Sequence, residues 1–430
     1  MSYQFAASRL RHLALAATGA ALLGLSITGP AASAATGGSG SLDPTFGTGG
    51  VVQVPSVVPS FTRGAALQPN GDILIAVTPP AGFPGVERLN PDGTPDTSFG
   101  SGGFASTGLP NGGASSVAVQ PDGKIVWVGA GHIAGDPNAA DNFAVARFTA
   151  SGALDPTFGV GGVVSISFPA EPVSDAANTV LMQPDGKLLV GGQAGVSGRG
   201  IRLFAAMVRL NANGSLDPAF GTGGEVVNTA IGVSITALGE DAVGDIFTLP
   251  VPAEYDSAGN IKSADVQTPL VATGSGGLIG SEPSMFLSDG RGLVAGQGGG
   301  NGRCDADIQV RRFLGATQDP AFAVTGIDFS GTEGCVNDAA RNMATQADGK
   351  ILVVGDTFHG PTDFLLARLT ANGALDTSFG TNGVVNTPVG ANGSGTAQAI
   401  LVQPDGKILV IGSSLDAAGD GVLTLARYLP

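Results

Sequence analysis

The chain has 430 residues, of which 43% are hydrophobic, 13% are charged and 70 are glycine. That balance favours turn-rich β structure over helices, and the length is ample for a large core. A formal charge of −15 excludes nucleic-acid binding through the net field, which needs surplus Lys and Arg to neutralise phosphates.

Residues 1–34 read as a secretory signal peptide. Arg9, Arg11 and His12 precede the apolar stretch LALAATGAALLGLSITG, which is shorter than the roughly 20 residues of a membrane span, and Ala32-Ser33-Ala34 supplies the small residues of a cleavage site before Ala35. The alternative is an uncleaved anchor; no cysteine follows to carry a lipid, and no second long apolar run appears, so no transmembrane segment is expected in the mature chain. Cleavage removes Arg9 and Arg11 and no acid, moving the formal charge to −17. Residues 35–41 form a short Gly/Ser linker, and residues 42–430 are expected to be a single domain.

That domain is repetitive. A hairpin motif recurs as QPNGDILIAV from Gln68, QPDGKIVWVGA from Gln120, QPDGKLLVGGQ from Gln183, LSDGRGLVAGQ from Leu287, QADGKILVVGD from Gln346 and QPDGKILVIGSS from Gln403, with a worn copy, EDAVGDIFTLP, from Glu240. Its turn glycines are Gly71, Gly123, Gly186, Gly244, Gly290, Gly349 and Gly406. A second motif of the form LDxxFGxxG interleaves with it, opening at Ser41, Thr94, Ala153, Ser215, Thr317 and Ala374, and the copy expected near residues 260–275 is degenerate.

Each unit divides into four short strands. In the sixth these are DAARNMATQ, KILVVGD, DFLLARLT and GVVNT, here called A to D, each bounded by turn-forming residues. Asp-Gly between two apolar runs is a strong hairpin signal, because Gly tolerates positive φ and Asp can bond the local backbone. A phosphate loop would need GxxxxGK followed by Ser or Thr and a helix, so the recurrent DGK is read as a turn.

Seven four-stranded units predict an all-β fold, a seven-bladed β-propeller whose blades bury their faces on one another. The domain opens on the last part of a unit and stops one strand short, so the N-terminal strand Val51–Val54 is expected to complete the seventh blade. The DGKI hairpin, the LAR strand and LDxxFGxxG resemble the delta-60 repeat family of bacterial proteins. The resemblance covers nearly all of residues 42–430; it implies a β-propeller and brings no catalytic residues.

A charged pair recurs at fixed spacing. Arg88, Arg147, Arg209 and Arg368 precede Asp96, Asp155, Asp217 and Asp376 by eight residues, and Arg312 precedes Asp319 by seven. Arg427 has no downstream partner, but Asp43 takes that place if the ring closes. These pairs are expected to pin strand C to the loop before strand D, with the Phe of the motif as an apolar plug.

In such a ring the A–B and C–D connections share one face and the B–C and D–A connections the other. The first set is nearly uniform and the second varies in length and sequence, which places binding on the second face and in the channel mouth. Cys304 and Cys335 fall there, and in an exported chain an even pair is most simply a disulfide. His132 and His359 lie in B–C loops of different blades, read as exposed loop residues rather than a zinc site or a catalytic base. The acids Asp136, Asp141, Asp305, Asp307, Asp363, Asp416 and Asp420 also lie in or beside these loops. They read as a solvated rim; no cofactor is implied, and calcium is the cation that carboxylates and loop carbonyls would suit. Trp127, Tyr255 and Tyr428 are too few to build a glycan platform.

Three functions fit: a monomeric, exported recognition or scaffold module for a protein, peptide or surface polymer; a hydrolase or lyase working at the channel mouth; and a purely structural envelope protein.

Overall fold

The computed structural model describes residues 37–430 apart from 56–60, 81, 111, 132–140, 169–172, 197–201, 265–282, 298–306, 316, 330–337, 358–362 and 392–394. The described residues fall in one unit, within Ala34–Pro430. All their regular elements are strands, in seven antiparallel sheets that form the predicted seven-bladed propeller. The leader assigned to residues 1–34 lies outside the described residues, as do Cys304, Cys335, His132, His359, Asp136 and Asp305.

The seven blades follow the repeat. β1 (Val51–Val54) stands apart; blade 1 is β2–β5 (Phe61–Leu67, Ile73–Thr78, Gly85–Leu89, Phe104–Ser106) and blade 2 is β6–β9 (Gly113–Val119, Ile125–Gly131, Asn142–Phe148, Val163–Ile166). Blade 3 is β10–β13 (Val173–Met182, Leu188–Val196, Arg202–Leu210, Glu225–Asn228) and blade 4 is β14–β17 (Ala237–Glu240, Ile246–Leu249, Ala253–Tyr255, Ile261–Ala264). In blade 5, β18 (Ser284–Phe286), β19 (Gly292–Gln297) and β20 (Ile308–Leu314) are followed by a fourth strand broken into β21 (Thr317–Gln318) and β22 (Gly326–Ile327), both paired with β20. Blade 6 is β23–β26 (Asp338–Thr345, Ile351–Thr357, Phe364–Leu369, Val384–Thr387), and blade 7 holds β27–β29 (Gly395–Val402, Ile408–Leu415, Gly421–Tyr428).

The fourth strand of blade 7 comes from the other end of the domain. β1 pairs antiparallel with β29, Val51 opposite Ala426 and Val54 opposite Leu423, so the ring closes as the repeat register requires. Closure removes the open edge that a fixed number of stacked sheets would otherwise leave.

Burial explains the strand compositions. B and C strands are covered on both faces by neighbouring blades, and β7 and β8 are buried almost throughout. D strands run along the outside, are only three or four residues long in blades 1 to 4, 6 and 7, and are largely half-buried or exposed. The apolar core is divided among the seams; one cluster, for example, joins Leu74, Val86 and Phe99 of blade 1 to Ile125 and Trp127 of blade 2. The A–B turns take the conformation their sequence calls for. Gly123 at φ +83° donates its N–H to the Gln120 carbonyl, and the Asp122 carboxylate accepts from the Lys124 N–H.

Deleting residues 41–54 removes β1, Asp43 and Phe46 together and leaves β29 as an open edge. The trimmed protein is expected to melt well below the full ring and to aggregate, and equal melting temperatures would rule out closure as a source of stability.

Candidate functional site

On the face of the A–B and C–D turns six of the seven blades build the same charged pair. The Nε of Arg88, Arg147, Arg209, Arg312, Arg368 and Arg427 donates to the Oδ2 of Asp96, Asp155, Asp217, Asp319, Asp376 and Asp43 at 2.7–2.9 Å. All six pairs expected from spacing therefore form, including the one between the two ends of the domain. Each guanidinium lies over the Phe of the same loop, from Arg88 on Phe99 at 4.3 Å to Arg209 on Phe220 at 4.7 Å, so the plug is also a cation–π partner.

The turn lysines complete the cluster. Lys124, Lys187, Lys350 and Lys407 place Nζ 3.2–3.6 Å from the same aspartates, 155, 217, 376 and 43. Burial alone would raise the Asp43 and Asp155 carboxyls, but hydrogen bonds from Thr45 and Thr157, the lysine and the arginine outweigh it and hold both at about 2. Asp376 is held at about 2 first by its bond from Ser378, against burial, with help from Arg368 and Lys350. The DGK motif is thus a turn and a structural ion pair.

Blade 4 repeats the cluster with every sign reversed. Glu254 stands at the position of Arg209, Lys262 at that of Asp217 and Asp245 at that of Lys187, as the strand registers show. Lys262 Nζ bridges Asp245 at 2.5 Å and Glu254 at 2.6 Å. The turn Asp256–Asn260 leads straight into β17, so up to Ala264 the described residues hold no plug-bearing loop, and the rest of the copy expected near residues 260–275 lies outside the described residues. The eight-residue spacing from Glu254 to Lys262 is the available sequence signal, hidden because both charges are inverted relative to Arg before Asp.

The acids of the opposite face do not converge. Asp416 caps its own turn, accepting from the N–H groups of Ala418 and Asp420, and both Asp416 and Asp420 are exposed. The backbone carbonyl of half-buried Asp141 accepts from Asp175 N–H. Asp363 is 9% exposed, and burial raises its carboxyl despite a bond with Asn386. Asp356 is held bidentately by Arg341 at 2.8 and 2.9 Å.

Among the described members of the predicted set, only Asp307 joins other acids. It meets Asp328 and Asp338, with carboxylate oxygens all within 4.8 Å of one another. Asp338 accepts from Phe329 N–H and is pushed up to about 6, first by burial and then by Asp328, Asp307 and Asp356. Sequence reasoning missed Asp338 and its counterpart Asp175, which accepts from Phe168 and Gly195 N–H; both sit in DAA at the start of strand A and clasp the D–A connection.

A cavity of about 730 Å³ opens on the turn face, opposite the variable loops, where the ends of A strands meet around the axis. Leu67, Val119, Met182 and the Gln-Pro pairs at 68–69, 120–121 and 183–184 line it, with Pro404 of blade 7. The described lining residues carry no titratable side chain. Trp127, Tyr255 and Tyr428 are fully buried in the blades and offer no surface for stacking. Among the described residues no helix is long and apolar enough to cross a membrane.

Five segments, 68–99, 120–158, 183–220, 346–379 and 403–430, match a family model described as a domain of unknown function (DUF5122) β-propeller. The matches support a bacterial β-propeller repeat family. They skip blades 4 and 5, where the charge cluster is reversed and the fourth strand is broken. No curated protein matches. Among solved structures, a protein of unknown function from Dyadobacter fermentans is 13% identical with TM-score 0.46, over 88% of this chain and 99% of that one. The polysaccharide lyase Uly1 is likewise 13% identical at TM-score 0.46, over 87% of this chain and 90% of its own. A PQQ-bound aldose sugar dehydrogenase from Streptomyces coelicolor is 15% identical at TM-score 0.38, over 88% and 98%. These likenesses carry no argument about activity.

Two outcomes follow from the charges. Replacing Arg368 by Met keeps a stem over Phe379 but leaves Asp376 with Lys350 as its one cationic partner, and is expected to cost about 3 kcal/mol in a denaturant titration; wild-type stability would mean the pair is dispensable. Glu87, 3% exposed on β4, is pushed by burial from 4.5 to about 7. The folded state therefore holds this proton more tightly than the unfolded chain, and stability falls as pH rises from about 4.5 through about 7, by roughly 3 kcal/mol in all. Glu87→Gln should flatten that decline, and an unchanged slope between about pH 5 and 8 would exclude Glu87 as its origin.

Proposed function

We propose that this chain is an exported recognition or scaffold propeller of the delta-60 repeat type, binding a protein, peptide or surface polymer through its variable B–C and D–A connections. The observation that carries this reading is the division of labour between the faces. On the turn face, six arginines and four lysines are committed to internal pairs, so few charged groups remain there for a partner. The connections of the opposite face differ from blade to blade and are carried by a rigid ring, the arrangement in which binding loops are found. Export, a Cys304–Cys335 disulfide and a monomeric state belong to the same proposal, and calcium is the one cation it includes.

The cavity favours a second reading, a small apolar ligand bound among the Gln-Pro turns. Its volume is in the range of ligand pockets, roughly 300–1,000 Å³. A hydrolase or lyase at this mouth lacks support, because acid–base chemistry needs a titratable group within hydrogen-bond reach and none of the described lining residues supplies one.

A thermal-melt panel on residues 35–430 with calcium, other metals, glycans, peptides and small apolar compounds separates these readings. A ligand specific for the folded ring at 100 times its Kd adds about 2.7 kcal/mol. Stabilisation by a peptide or glycan, abolished by exchanging the B–C loops of blades 2 and 6, is the expected result. Stabilisation by apolar compounds alone, lost in Met182→Asp, would transfer the site to the cavity, and no shift together with no capture of a surface polymer would overturn the recognition reading.

A further inference from the structure

We propose that the ring opens first at the seam between blades 4 and 5, ahead of the seam where the two ends of the domain meet. The inference rests on what stitches each blade to the next. At the turn face the arginine of one blade reaches across to a backbone carbonyl of the following blade: Arg88 Nη1 to Ala150 at 2.8 Å, Arg147 to Ala212 at 2.6 Å, Arg209 to Ser257 at 2.5 Å, Arg312 to Ala371 at 2.9 Å and Arg427 to Pro91 at 3.3 Å. A residue beside the plug adds a backbone bond to the same turn, as from Gly100 to Ser151, Gly159 to Asn213, Gly221 to Ala258, Ala323 to Asn372 and Gly380 to Ser39. Every seam has at least one of these stitches except that between blades 4 and 5, where the described residues have neither.

The reason is chemical. Glu254 occupies the arginine position of blade 4, and a carboxylate cannot donate to a carbonyl; both are acceptors. No plug loop stands among the described residues to supply the second bond, since the turn Asp256–Asn260 passes directly into β17. The receiving side has changed in step. In the other blades the turn glycine lies against the preceding plug, as Gly152 does on Phe99, whereas a Cβ at Gly315 of blade 5 would meet nothing within 4 Å. Ile261 and Leu314, which flank this place, are about half exposed.

Among the described residues, the core at this seam is also the smallest. Ala237, Leu249, Val294 and Phe313 are its buried members, with Phe286 against them, and Thr236 bonds Ser284 nearby. The closure, by contrast, has a full ladder from β1 to β29, the Arg427–Asp43 pair and bonds from Gly40 to Leu429 and from Leu429 to Ser41. Local opening follows the segments with the fewest buried contacts and interlocking bonds. A gap at this seam would give a solute lateral access to the channel without unthreading the chain.

Native-state hydrogen exchange on residues 35–430 tests this. Amides of β15 to β17 and of β19 are expected to exchange at least tenfold faster than those of β1 and β29. Val294→Ala, in this seam, should speed exchange in β15 to β17 about tenfold and leave β7 and β8 unchanged, whereas Val128→Ala, between blades 2 and 3, should leave β15 to β17 unchanged. Earliest exchange at β1 and β29, or equal acceleration of all strands by Val294→Ala, would overturn the proposal.

Discussion

The ring depends on one repeated contact, an arginine on strand C that is closed in on three sides. Its Nε meets a carboxylate of its own blade, its face rests on the plug phenylalanine, and its Nη1 in most blades takes a carbonyl from the next. Taking both charges out of water is costly, and such a pair adds stability only if its remaining donors and acceptors are satisfied. Here they are: Asp155 accepts from Arg147, Lys124 and both the N–H and the hydroxyl of Thr157. One side chain thereby fixes the strand, the loop and the neighbouring blade, and a unit too small to bury its own faces becomes rigid through its neighbour.

Much of this fold was legible because its signals are local and repeated. A Pro-Asp-Gly turn, an alternating strand and an Arg eight residues before an Asp each need only a short window, and six or seven copies average out the worn ones. The closure was legible for the same reason, since Asp43 and Val51–Val54 are the parts that the last unit lacks. What escaped was non-local or changed in sign. The cavity exists only where strand ends from blades 1, 2, 3 and 7 meet, and no stretch of sequence contains it. Asp307, Asp328 and Asp338 come together across 31 positions of chain through the folding of two blades. Blade 4 keeps the spacing and inverts the charges, so the pattern of residue types does not reveal it.

The two faces therefore differ in what they can do. The turn face is polar by composition yet has little free charge, and at its centre it is apolar. The opposite face has acids whose environments separate them: Asp416 is spent on its own turn, Asp363 is buried, and Asp307 is crowded by two further carboxylates. Any partner of this ring meets two chemically distinct surfaces.

The inverted cluster of blade 4 also bears on how the chain finds its register. Near-identical units in one chain invite a strand of one repeat to pair in the place of another, a characteristic trap of repeat proteins. A slip that set strand C of blade 4 into a neighbour's place would bring Glu254 against Asp217 or Asp319 in place of an arginine, carboxylate against carboxylate, and leave Lys262 facing an arginine. Misassembly is thereby penalised at the middle of the chain, where the ends cannot correct it. The charge-inverted blade acts as an index mark by which the others are counted.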